Sequence, residues 1–413
     1  MNRKALIVLA VAAALALIGA IALHLSRKPA SETDGAAALQ GGPLAPGLRE
    51  HVNDVDRLVV TGAGGKVLAT ITRGASGWSV EEKGGHPADT GKLRSLLLRL
   101  ADAERVERKT ANPERYAQLG VEDVAAADAK GVQLDIGGLG APLQIIVGNA
   151  SARGGGSFVR LAGAPESWLV SQAITIEKDP ANWLARDLAD IGGDRIASVT
   201  LTGPDGKTVR VAKENEGDAN FMLADVPKGR EPASEYTING LASTLAGLRL
   251  EDVMPAAQAE PPADARKARY EGFDGIVVDA IAWEKEGKRY ARFAASVDDA
   301  AAERHVERAQ ANEKAVHDAA KAEGAAESAS APVDATDATQ SAAVDADAPL
   351  SVTDPAKDRE RRLAAVRAEA DALQKRFDGW TFVIPAYKYE SIAKSQEDLL
   401  KPAETGKSAA KKK

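Results

Sequence analysis

The residues that look most able to do chemistry are the Gly-Lys-Thr of LTGPDGKTVRV, Leu201 to Val211, which resemble a loop that wraps phosphates with successive backbone N–H groups. That chemistry needs four residues between a first glycine and the Gly-Lys pair. Leu201 occupies the required position, and Gly203 lies too close. A phosphate loop also runs from strand into helix, whereas TVRVAKE after Gly206 alternates as a strand does. Pro204-Asp205-Gly206 supplies the preset φ and the tolerated positive φ of a tight hairpin turn, so the stretch is predicted to be a turn.

The other candidates give no chemistry. GNASARGGGSF, Gly148 to Phe158, is followed by the alternating SFVRL, which predicts a hairpin loop, with Arg153 a weak anion contact. His24, His51, His86, His305 and His317 stand at no metal-ligand spacing. Asp135 and Asp279 recur in similar contexts and could act as an acid–base pair only if they converged. Each alternates with apolar neighbours, which predicts the solvent side of a strand. Trp78, Trp168, Trp183, Trp283 and Trp380 are dispersed, as packing residues are. There is no Gly-x-Ser-x-Gly elbow and no cysteine. The expectation is no catalytic residue, no metal and no cofactor.

The scaffold is more legible. A 413-residue chain of formal charge −7 has room for two or three domains and lacks the clustered basic face that nucleic acid requires. Residues 5–25, ALIVLAVAAALALIGAIALHL, are long and apolar enough for a transmembrane helix, which at about 1.5 Å per residue spans a bilayer core of roughly 30 Å. Residues 1–28 are therefore read as an uncleaved anchor, with the body outside the cytoplasmic membrane, and residues 29–50, rich in Gly and Pro, as a flexible stalk.

NDVDRLVVTGAGGKVLATITR, from Asn53, lies over DRIASVTLTGPDGKTVRVAKE, from Asp194, without gaps. Thr61, Gly62, Gly65 and Lys66 fall on Thr202, Gly203, Gly206 and Lys207, and Val55, Leu58 and Val60 on Ile196, Val199 and Leu201. Leu93, Leu97 and Leu100 are matched by Leu241, Leu245 and Leu248 at helical spacing, and GVQLDI by GIVVDA. The expectation is an α+β fold of two tandem duplicated units, residues 51–190 and 191–396, each of mostly antiparallel sheet with one main helix. VQLDI, LQIIV, SFVRL and SWLVS are the later strands of the first unit, and DPANWLARDLADI a short helix joining the two.

Residues 298–377 interrupt the second unit with a helix, an acidic segment over 322–358 expected to be disordered, and a second helix over 358–377. That helix carries Leu363, Val366, Ala370, Leu373 and Phe377 at spacings of three and four, a packing seam. The first helix has the weaker stripe Val306, Ala309 and Val316. The pair is predicted to project as an arm, with Leu363, Val366, Leu373 and Phe377 as its partner-binding surface. Residues 397–413 form a basic tail.

The anchor, DRLVVTGAGGKVLATITR with GWSVEE, the junction NWLARDLADIGGDRIASVTL and the terminal GWTFVIPAYKYESI together resemble a bacterial membrane-anchored family classed as domain of unknown function 4340. The resemblance implies a protein encoded near ABC transporter components similar to those of gliding motility, and it carries over no site residues. The expected function is a non-enzymatic, single-pass inner-membrane protein whose periplasmic body binds membrane-protein partners of an ABC-type complex. A binding module for cell-envelope glycan or another small ligand is the alternative, and an envelope hydrolase a weaker one.

Overall fold

The computed structural model describes residues 41–152, 155–329 and 354–402, without the side chains of 322–329. The expected anchor, Arg153, and residues 330–353 of the acidic segment lie outside the described residues, and none of the described helices is long and apolar enough to cross a membrane. The fold is mixed α and β, with antiparallel sheets and six α-helices among the described residues. It divides into one unit up to Trp183 and another from Leu184.

The first unit opens with a hairpin, β1 (Arg57–Gly62) and β2 (Lys66–Gly74), followed by β3 (Gly77–Val80). Helix α1 (Thr90–Ala101) follows, capped by Asp89, whose Oδ1 accepts the Lys92 N–H at 2.9 Å, and it buries Leu93, Leu96, Leu97 and Leu100. Then come β4 (Glu104–Arg108), the single-turn helix α2 (Tyr116–Leu119), and the meander β5 (Val132–Gly137), β6 (Leu143–Ala150), β7 (Ser157–Leu161) and β8 (Ser167–Val170). The order across the sheet is β3-β2-β1-β5-β6-β7-β8-β4, extended by His86–Pro87 beside β3 and Gly42–Pro43 beside β4.

All four later strands stand where alternation predicts them. β4 escapes that reading because its sequence, ERVER, has one apolar residue, Val106, and that one is exposed. One sheet face carries Leu58, Val60, Leu134, Ile136, Ile145 and Val159 into the main core. Across the sheet, Ile146 packs with Tyr116 and Val121 in a second, smaller core. The end of the expected stalk belongs to the folded body, since Leu44, Ala45 and Leu48 are buried.

The second unit repeats the plan. Strands β9 (Ile196–Thr202), β10 (Thr208–Ala212) and β11 (Met222–Leu223) precede helix α3 (Glu235–Ala242), and β12 (Asp252–Pro255) follows it. The meander is β13 (Arg266–Gly272), β14 (Ile276–Lys285), β15 (Lys288–Val297) and, after the long helices α4 (Asp299–Ala329) and α5 (Pro355–Phe377), β16 (Trp380–Val383). Helix α6 (Ala386–Ile392) closes the unit. The order is β11-β10-β9-β13-β14-β15-β16-β12, strand for strand that of the first sheet without its short edge additions.

Three expectations are corrected. Helix α3 ends at Ala242, so Leu245 and Leu248 are buried beyond it, Leu248 in a short strand that pairs with Asp187–Ala189. DPANWLARDLADI is a 3-10 turn, Pro180–Trp183, followed by the short strand Asp187–Ala189 rather than a helix, although Trp183, Leu184 and Leu188 are buried as an amphipathic pattern requires.

The third sequence match joins strands at different places in the sheet. Asp135 lies in β5, beside β1, whereas Asp279 lies in β14, one strand removed from β9. Asp135 faces Val59, and the residue facing the corresponding Thr200 is Arg269, which pairs with Asp279 at 2.9 Å. A period of two recurs in every half-buried strand, so it identifies a strand without identifying which one.

Candidate functional site

The Gly-Lys-Thr stretch forms the β9–β10 turn, and its donors are already engaged. Gly203 N–H bonds the Lys207 carbonyl at 2.9 Å, Gly206 N–H the Gly203 carbonyl at 3.0 Å, and Lys207 N–H the Asp205 carboxylate at 3.1 Å. Gly206 has φ +76°, and the Lys207 ammonium pairs with Asp205 at 2.9 Å. In the first unit Gly64 and Gly65 donate to the carbonyls of Ala126 and Val124. The two hairpins share equivalent pairs, Thr61 with Val67 and Thr202 with Thr208. A phosphate would find no free N–H cradle at either turn.

A cavity of about 380 Å³ lies beside the second turn, with Lys207, Arg266 and Lys394 among its lining. Its charges are offset locally: Asp205 holds Lys207, and Asp398 lies within the fields of Lys394 and Arg266.

The inserted helices form a hairpin anchored in the second unit. Arg359 pairs with Glu303 and Glu307, Arg362 with Glu313, and Arg367 with Asp299, each across the two helices. Asp358, held by Arg361 first and then by Gln310 and Arg362, has its carboxyl pulled down to about 2. The C-terminal half of α5 lies along β15. The Arg195 guanidinium, raised above its ordinary range chiefly by Glu369, joins that residue to Asp274. Gln374 Oε1 accepts the Ala295 N–H at 2.8 Å, and Arg376 donates to the Leu188 carbonyl at 2.7 Å.

This geometry corrects the expected seam surface. Leu373 is 6% exposed and Phe377 1%, with the Phe377 ring 5.4 Å from Phe293, so both are core residues of their own unit. Leu363 and Val366 are half-buried, whereas Val316, farther along α4, is 66% exposed. The Leu373–Phe377 half of the predicted seam is therefore not accessible surface of the arm.

The titratable residues separate likewise. His51 pairs with Asp54 at 2.8 Å on the surface, and His305 lies 3.5 Å from Glu216. Among the described residues no group of three or more His, Asp or Glu could hold a metal ion. Asp135 accepts from Gln133 and Gln144. The tryptophans pack: Trp183 donates to the Glu177 carbonyl, Trp283 stacks on Tyr290, and Arg105 lies over Trp168.

His86, 3% exposed, is the exception with a consequence. Burial pushes its pKa from 6.5 down to about 4, only partly opposed by its hydrogen bond to the Pro87 carbonyl. A depressed histidine pKa means that the unfolded chain takes the proton first. Stability from this group is complete above about 6.5 and is lost as pH falls towards about 4. The loss amounts to about 3 kcal/mol at most. Urea unfolding from pH 7.5 to 4 should show wild type losing that much relative to His86→Gln, and a pH-independent difference between the two would refute the assignment.

A smaller cavity, about 230 Å³, lies in the first unit beside α1. Buried Leu93 and Leu97 form its apolar part, with Val52 and Trp78 beside them and Arg73, Arg94, Asn53 and the first turn of α1 completing the lining. Arg73 donates to the Asn53 carbonyl at 2.8 Å and lies 5.6 Å from the Trp78 ring centroid. Sequence reasoning missed both arginines, since neither belongs to a motif.

Residues 78–269 match the family model described as Domain of unknown function (DUF4340). The match starts at Trp78 in β3 and ends at Arg269 in β13, so it takes in Arg94, the junction and the second hairpin, and spans parts of both units. No curated protein and no solved structure matches the chain.

Proposed function

We propose that the protein is a non-enzymatic accessory component of the bacterial inner membrane, anchored by residues 5–25, whose periplasmic body arose by duplication and binds membrane-protein partners of an ABC-type complex. The observation that carries this reading is the common strand order of the two sheets, together with the spending of their conspicuous polar side chains on internal bonds. A repeated scaffold with no convergent reactive cluster among its described residues suits display of surfaces more than turnover. The place for a partner is the outer part of α4, where Val316 stands exposed beyond the ion pairs that join the two helices.

Crosslinking in native membranes, followed by purification in mild detergent, tests the proposal. Recovery of ABC transporter subunits with wild type, reduced for Val316→Lys at unchanged thermal stability, supports it. Absence of such subunits from the wild-type complex overturns it. The small-ligand reading is favoured by one specific observation, the arginine-lined cavity of the first unit.

A further inference from the structure

In the first unit Arg49, Arg108 and Arg160 meet carboxylates, those of Asp102, Glu166 and Asp123. Arg73 and Arg94 do not, and what they share is a cavity. No carboxylate lines it with them, and among the described residues neither forms an ion pair. The neighbouring Asp89 is engaged as the cap of α1. Trp78 and the carbonyl of Asn53 hold the Arg73 guanidinium at the rim, while Leu93 and Leu97 keep the adjoining surface apolar.

We infer that this cavity is a binding site for a small acidic ligand, a carboxylate or phosphate carried on a single ring such as a uronic acid or a sugar phosphate. Size sets the upper limit, because about 230 Å³ falls below the roughly 300–1,000 Å³ of sites that enclose drug-sized molecules. Charge sets the class: a guanidinium donates a planar fork of N–H groups that matches a carboxylate or phosphate and has no comparable match in a neutral hydroxyl. The apolar part and the indole suit the ring's carbon face. The site stands independently of partner binding by the arm.

The test uses the full-length chain in detergent, with ligand-detected NMR titration of D-glucuronate, glucose 6-phosphate and neutral glucose. At least one anion should bind, about tenfold more tightly than glucose, and the stronger of the two identifies whether the site is tuned to carboxylate or phosphate. Arg94→Gln and Arg73→Gln should each weaken that anion about tenfold while leaving the unfolding midpoint and the weak glucose binding unchanged, since both side chains are exposed. Equal binding of glucose and the anions, unchanged anion affinity in Arg94→Gln, or failure of both anions to bind would each overturn the inference.

Discussion

Phe377→Ala is expected to destabilise the second unit by about 3–5 kcal/mol, the range for truncating a fully buried aromatic residue. Phe377 is 1% exposed, and its ring lies 5.4 Å from Phe293, which in turn lies 6.2 Å from Phe382. The alanine variant would leave a cavity where the last turn of α5 meets strands β15 and β16, at the point where the inserted hairpin returns to the sheet. Ala370 and Leu373 are buried on the same helix, and Arg195, Gln374 and Arg376 fix its orientation by polar bonds, so local collapse into the void is restrained. Leu363→Ala is the internal control. Leu363 is half-buried, and its truncation should cost about 1 kcal/mol. Urea unfolding of the full chain, followed through the transition of the second unit, distinguishes the two. If Phe377→Ala changed that transition by less than Leu363→Ala, the C-terminal half of α5 would be an accessory arm rather than core.

The same helix shows how far sequence reaches. Spacings of three and four residues correctly indicate that Leu363, Val366, Leu373 and Phe377 face one way, because helical geometry puts them on one stripe. They do not indicate what covers the stripe. A seam buried on its own sheet and a seam awaiting a partner have the same sequence period, and only the placement of β15 beside α5 decides between them. The hairpin of the second unit was legible for a different reason: Gly206 at positive φ and the Thr202–Thr208 closing pair are local requirements, written into adjacent residues.

Strand order was less accessible. β4 and β12 pair with strands distant in sequence, β8 and β16, and nothing in ERVER or DVMP records those partners. The cavity arginines lie beyond reach for a related reason. What sets Arg73 and Arg94 apart is that a strand and a helix bring them to one cavity with no carboxylate in its lining, and such a meeting in three dimensions leaves no pattern in the chain.

Arg160→Ala carries the second large effect, about 4 kcal/mol from the first unit, and its origin differs from that of an ordinary ion pair. Arg160 is 3% exposed on β7, on the face opposite the main core. Nε donates to the Val121 carbonyl at 2.8 Å, Nη1 to the Ala164 carbonyl at 3.0 Å and Nη2 to Asp123, while the guanidinium carbon lies 4.6 Å from the Tyr116 ring centroid. One side chain thus holds the irregular segment around residues 116–124 onto the sheet and satisfies carbonyls that the smaller core would otherwise strand. Asp123 is 72% exposed, so its share of the interaction is screened by water. Asp123→Asn is therefore expected to cost less than about 1 kcal/mol. Arg160→Lys, which keeps the charge but loses the planar fork and the stacking, should recover less than half of the alanine deficit. Comparing the three variants by urea unfolding separates charge from geometry. Equal losses for Asp123→Asn and Arg160→Ala would mean that the ion pair supplies most of the stability, whereas the predicted order, alanine worse than lysine and lysine worse than asparagine at 123, assigns it to the bonds that fasten the loop.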